Sequence, residues 1–73
     1  MITLYELVNN ITIQGNVSVV PFNKDGDEIG RIYVDHTDDL ANYDKFDEYE
    51  DWPVTFIYAD RFGRLVIEVQ EEE

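Results

Sequence analysis

Trp52-Pro53-Val54-Thr55-Phe56-Ile57-Tyr58-Ala59-Asp60-Arg61-Phe62-Gly63-Arg64-Leu65-Val66-Ile67-Glu68-Val69-Gln70 is the stretch whose reading decides the fold. Val54 to Tyr58 and Leu65 to Val69 are runs of β-branched and aromatic residues, and the loop between them contains Asp60-Arg61-Phe62-Gly63. Such runs joined by a short loop ending in glycine read as a β-hairpin. The other segments then read as covering or extending it.

Upstream, Thr3-Leu4-Tyr5-Glu6 matches the capping box, in which the Thr3 hydroxyl accepts from the Glu6 N–H and the Glu6 carboxylate accepts from Thr3. A helix is expected from there. Leu4, Leu7, Val8 and Ile11 line one face at helical spacing, and Asn9-Asn10 offers an end about two turns later. A helix so short is unstable alone, so its apolar face must dock on the sheet. From Ile11 the period becomes two: Ile11, Ile13, Val17 and Val19 alternate with Thr12, Gln14, Asn16 and Ser18, the pattern of a strand. Gly15 falls in the apolar phase, where it marks a bulge or a close backbone approach. Asp25-Gly26 is the strongest local hairpin signal, and it predicts a second strand near Glu28 to Asp35.

Between the two hairpins the chain carries Asp35, Asp38, Asp39, Asp44, Asp47, Glu48, Glu50 and Asp51. Leu40, Tyr43, Phe46, Tyr49 and Trp52 recur there every third residue, and on an α-helix that spacing drifts by about 60° per step. The segment is therefore expected to be an irregular helix, broken or partly 3₁₀, and ended by Pro53.

The fold class expected is α+β: a short N-terminal helix packed on an antiparallel sheet of about four strands, two hairpins, with the irregular helical segment between them. The expected core is Leu4, Leu7, Val8, Ile11, Ile13, Val17, Val19, Ile32, Val34, Leu40, Phe56, Tyr58, Leu65, Ile67 and Val69. The 73 residues make one domain, 1–73, with 71–73 expected to be a frayed tail.

Composition excludes more function classes than it selects. The chain has no cysteine and a single histidine, His36, so disulfides, thiolate metal sites and multi-histidine sites are out. Seventeen acidic residues against five basic ones give a net charge of −12. Nucleic acid and anionic membranes are disfavoured as ligands, because Lys24, Arg31, Lys45, Arg61 and Arg64 are scattered among acids. No apolar run reaches the length of a membrane span and no signal peptide is recognisable, so a cytoplasmic location is the expectation.

Candidate chemistry is thin. A calcium loop starting at Asp25 fails, since its fifth and twelfth positions are Ile29 and His36 rather than oxygen ligands. Paired carboxylates need a cleft, for which so short a chain has little volume once a core is built. Ser18 has no evident base, His36 reads as a turn residue, and there is no glycine-rich phosphate loop. No enzyme activity, cofactor or metal is expected.

The one feature singled out for function is the interleaving of aromatics with acids. Asp38, Asp39, Tyr43, Asp44, Phe46, Asp47, Glu48, Tyr49, Glu50 and Trp52 are the candidate interaction residues, with the rings as anchors and the carboxylates steering a basic protein partner. The competing reading makes these rings a cover for the sheet and leaves the acids merely solvated. Two further classes stay open: a nucleic-acid mimic that inhibits a DNA- or RNA-binding protein, and a structural protein self-associating through a sheet edge at Pro21 or Gln70.

Thr3-Leu4-Tyr5-Glu6-Leu7, Ile11-Thr12-Ile13-Gln14-Gly15-Asn16-Val17 and Leu65-Val66-Ile67-Glu68-Val69, taken together, resemble a group of small acidic accessory proteins of prophages and conjugative elements from Gram-positive gut bacteria. The resemblance lies in style and order across most of the chain, without a signature motif. It implies no site residue. What it implies is a context in which small acidic proteins occupy the nucleic-acid channel of a host protein.

Overall fold

The structure, a computed structural model, describes residues 1–11, 15–35 and 46–72. It contains helix α1 (Leu4–Asn10) and strands β1 (Val17–Phe22), β2 (Ile32–Val34), β3 (Val54–Ala59) and β4 (Leu65–Gln70). The α+β reading holds.

Helix α1 begins where the capping box places it. Thr3 Oγ1 accepts from Glu6 N, and Glu6 Oε1 accepts from Thr3 N, each at 3.2 Å. The remaining N–H groups of the first turn find carbonyls in a distant segment, Leu4 N donating to Trp52 O at 3.0 Å and Tyr5 N to Glu50 O at 2.9 Å. Every N–H from Thr3 to Glu6 therefore has an acceptor, which a two-turn helix needs to hold its place. Asn9 and Asn10 end it by turning their amides back onto the carbonyls of Tyr5 and Glu6, at 2.9 and 2.7 Å. Leu4 and Leu7 are buried, whereas Ile11, expected in the core, is the extended residue after the last turn and is exposed.

The four strands form one sheet in the order β2-β1-β4-β3. Here the antiparallel expectation needs correction: β1 runs parallel to β4, Val17 opposite Leu65 through Phe22 opposite Gln70, while β1–β2 and β4–β3 are antiparallel. The sheet is mixed. Both central strands are covered on both faces, and Val20 and Val66 are as buried as Val19 and Ile67. Pro21 and Gln70 lie in these central strands, so neither marks an edge; the edges are β2 and β3.

Two turns of one design hold the antiparallel pairs. In Asp60 to Arg64, Oδ1 of Asp60 accepts from Phe62 N at 2.8 Å and Arg64 N at 2.9 Å, while Gly63 N donates to Asp60 O and Asp60 N to Arg64 O. In Asn23 to Asp27 the same bonds recur, with Asn23 Oδ1 accepting from Asp25 N and Asp27 N and Gly26 N donating to Asn23 O. Gly63 and Gly26 have φ of +80° and +87°. Both turns thus place glycine at the left-handed fourth position behind an Asx side chain that gathers two N–H groups. Past Asn23 to Asp27, strand pairing is sparse: Glu28 bridges Phe22 alone, and β2 shrinks to three residues.

A further correction concerns Phe56 and Tyr58, expected in the core and found exposed. The pairing slips by one residue between Val54 and Phe56. The register running from the turn, Ala59 opposite Leu65 through Phe56 opposite Glu68, puts Ile57 on the face of Ile67 and sends Phe56 and Tyr58 to the opposite face with Glu68 and Val66, and the bulge brings Val54, opposite Val69, to the face of Ile57. The buried cluster on the helix side comprises Leu4, Leu7, Val17, Val19, Val34, Phe46, Ile67 and Val69, with Val8, Ile32, Leu65 and Val54 partly buried against it. Ile13 and Leu40, also expected in the core, lie outside the described residues.

On the face away from α1, Ser18 is fully buried and its hydroxyl has no hydrogen-bond partner among the described residues. A buried donor without an acceptor opposes folding, so Ser18→Ala is expected to raise stability by about 1 kcal/mol. A urea midpoint that moves upward with an unchanged slope is the measurement that checks it.

Candidate functional site

Of the residues singled out in the acidic segment, Asp38, Asp39, Tyr43 and Asp44 lie outside the described residues, as does most of the helical segment expected there. The described end, from Phe46 to Trp52, is a pair of successive tight turns. Tyr49 N donates to Phe46 O at 2.8 Å and Trp52 N to Tyr49 O at 3.0 Å. These three-residue bonds follow the spacing of the aromatics, and they explain how rings three apart lie toward one side, which an α-helix would not allow.

The three rings have different surroundings. Phe46 is 4% exposed and belongs to the buried cluster with Leu4 and Leu7. Its ring is therefore no surface anchor in this fold. Tyr49 and Trp52 are half-buried, packed against that cluster and against each other edge to face, with centroids 4.8 Å apart at 76°. Asp47, Glu48 and Asp51 are exposed around them and Glu50 is half-buried. Burial, with the Glu48 charge added, raises the Tyr49 hydroxyl above its ordinary pKa, so the ring stays a neutral donor.

The backbone of this patch is fixed from behind. The carbonyls of Glu50 and Trp52 are the acceptors for the first turn of α1, Val54 N donates to Ile2 O at 2.7 Å, and Thr3 bridges Pro53. The Tyr49–Trp52 pair and its carboxylates thus sit on a segment held by the helix start and by β3.

Sequence reasoning missed a second group, at the opposite end of the β3–β4 hairpin. Arg64 lies over the rings of Tyr33 and Phe62, at 5.3 and 5.6 Å, and Arg61 lies over Phe62 at 5.1 Å. Such contacts are worth about 0.5–1 kcal/mol each when exposed. Arg31 pairs with Glu28 at 3.2 Å and its charge reaches Tyr58 and Asp60. Three of the five cations are thereby gathered with Tyr33, Tyr58 and Phe62, away from the acids at the start of α1. Tyr33 and Arg64 are far apart in sequence, and only the β2-β1-β4 order brings them together; the local signal was limited to Arg61-Phe62.

The titrating groups of this second region have structural explanations. Tyr58 donates to Glu68 Oε2 at 2.5 Å, which raises its pKa above the ordinary value. The Arg64 N–H, then that of Phe62, hold the Asp60 carboxyl below its ordinary range, with the charges of Arg64 and Arg31 adding to the effect. A depressed folded-state pKa contributes stability that is complete above the unfolded value and is lost as pH falls through the folded one. Asp60→Asn keeps the acceptor that Asn23 supplies in the twin turn and removes the titration. The variant is expected to lose less stability than the parent on acidification below about pH 4, as measured by urea midpoints across that range.

Among the described residues no group of three or more Asp, Glu, His or Cys is placed to hold a metal ion, and no helix is long and apolar enough to cross a membrane. An apolar groove of about 380 Å³ lies between the helix and β3, lined by Ile2, Leu7, Val54, Thr55, Phe56 and Ile57. Among the described residues that line it, none has an ionisable side chain. No known protein family, curated protein or solved structure matches the chain.

Proposed function

We propose that the protein is a non-catalytic interaction module that presents an acidic, aromatic-bearing surface to a basic protein partner. The observation that carries this reading is the half-exposed Tyr49–Trp52 pair, ringed by Asp47, Glu48, Glu50 and Asp51 on a backbone held by the start of α1. Rigid aromatics lose little conformational entropy on contact, and carboxylates around them raise the encounter rate with a cationic surface.

The test is affinity capture from bacterial lysate with the parent and with a variant carrying Asp44→Asn, Asp47→Asn, Glu48→Gln and Glu50→Gln. The reading expects a basic protein enriched by the parent and lost by the variant at moderate salt. If both baits enrich the same protein equally, the acidic surface is solvation only. Release of the captured protein by duplex DNA would identify the module as a mimic of phosphate charge; indifference to DNA would leave a protein-specific contact.

A further inference from the structure

We propose that the acidic, aromatic surface from Phe46 to Trp52 opens and closes with the first turn of α1 as one unit, and that Thr3 and Glu6 are its positioning residues. The unit bears on function through the reading of Tyr49 and Trp52 as the binding surface. Neither of its two parts can stand alone. Helix α1 has seven residues, too few for a helix to hold by itself in water. The turns from Phe46 to Trp52 are closed by Tyr49 N on Phe46 O and Trp52 N on Tyr49 O, a three-residue geometry that serves only in short pieces.

Each part supplies what the other lacks. A helix start leaves its first N–H groups without acceptors inside the helix. In α1 those of Leu4 and Tyr5 are taken by Trp52 O at 3.0 Å and Glu50 O at 2.9 Å, carbonyls of residues that carry one ring and one carboxylate of the surface. At the other end of the turns, Phe46 belongs to the buried cluster with Leu4 and Leu7. A first turn that frays therefore releases both carbonyls, and turns that lift away leave Leu4 N and Tyr5 N without acceptors. The central sheet is closed by bonds of its own, since β1, β4 and β3 pair through their ladders.

Thr3 and Glu6 set the balance from outside the 46–52 segment. Thr3 Oγ1 accepts from Glu6 N and Glu6 Oε1 accepts from Thr3 N, and these two bonds hold the first turn in the helical form that directs the Leu4 and Tyr5 N–H groups at the turns. Only the closed unit presents the Tyr49–Trp52 pair on a fixed backbone, so the affinity of a partner for that pair scales with the closed fraction. By linkage, a bound partner protects the start of α1 in return.

Amide exchange of the parent, Thr3→Val, Thr3→Ser, Glu6→Ala and Glu6→Gln, under conditions where the rate follows the opening equilibrium, is the experiment. The deciding amides are Tyr49 and Trp52, whose acceptors lie inside the turns rather than in α1. In the parent, Leu4, Tyr5, Tyr49 and Trp52 are expected to share one opening equilibrium, more frequent than that of the fully buried Val19 and Ile67. Thr3→Val and Glu6→Ala should speed all four together by about fivefold, the factor for a lost cap. Thr3→Ser and Glu6→Gln keep the capping acceptors and should stay at parental rates. Parental rates at Tyr49 and Trp52 in Thr3→Val overturn the proposal, as do four amides that already exchange no faster than Val19 and Ile67 in the parent. If Glu6→Gln matched Glu6→Ala, Glu6 would act through its charge on the helix and would be no positioning residue. Should Thr3→Val fail to fold, the urea dependence of the parental rates decides: one slope shared by the four amides supports the unit, and separate slopes for helix and turns reject it. No partner enters these rates, so they and the capture experiment fail separately.

Discussion

Phe46→Ala is expected to destabilise the domain by about 3–5 kcal/mol, the range for emptying a buried phenylalanine site. A domain of 73 residues has about 4–11 kcal/mol of stability in total, so the variant should lose a large share of it. The physical reason is position. Phe46 lies in an acidic stretch, yet its ring is packed with Leu4 and Leu7, and the turns that follow it deliver the carbonyls of Glu50 and Trp52 to the first turn of α1. Losing the ring should therefore release both the turn and the helix start. Far-ultraviolet circular dichroism through a urea titration is the measurement. If Phe46→Ala unfolded like the parent while losing a binding partner, the ring would be an interface anchor and the core would need redrawing.

Ile67→Ala is expected to cost about 2–5 kcal/mol for a related reason. Ile67 is fully buried in the central strand β4, opposite Val19 on one side and Ile57 on the other. Sheet neighbours on both sides prevent the backbone from closing the cavity. Ile57→Ala makes the contrast: on the edge strand and half exposed, it should cost well under half as much. Paired urea midpoints at equal slope test the difference, and equal losses would mean that β3 is covered in solution.

What could be read from the sequence was local. The capping box, the paired asparagines at the end of α1 and the Gly63 turn depend on residues within five positions of each other, and each formed where its chemistry placed it. The parallel β1–β4 pairing brings Val17 against Leu65, and no local pattern records a contact over that separation. Val20 did carry a hint, since an apolar residue in the polar phase of a strand signals burial on both faces. The bulge at Thr55 was not legible either. One unpaired residue there brought Val54 to the face of Ile57, while the register set at the turn pointed Phe56 and Tyr58 outward.

The candidate site shows the same division. Aromatics three apart were visible in the sequence, and so was their misfit with an α-helix. Which ring would enter the core was set by how the turns dock on α1, information held by Leu4, Tyr5 and their acceptors rather than by the acidic stretch itself. The cation–aromatic group at Arg61, Phe62, Arg64 and Tyr33 was hidden for the reason that hid the parallel pairing.

The dissociation constant of the captured partner, measured at low and moderate salt for the parent and for the variant neutralised at Asp44, Asp47, Glu48 and Glu50, tests the interaction reading most directly. The expected result is parental binding that weakens as salt rises and a variant weaker by about tenfold at low salt, with the gap closing as screening increases. Equal constants at both salt concentrations would contradict the account and return the acidic surface to the role of solvation.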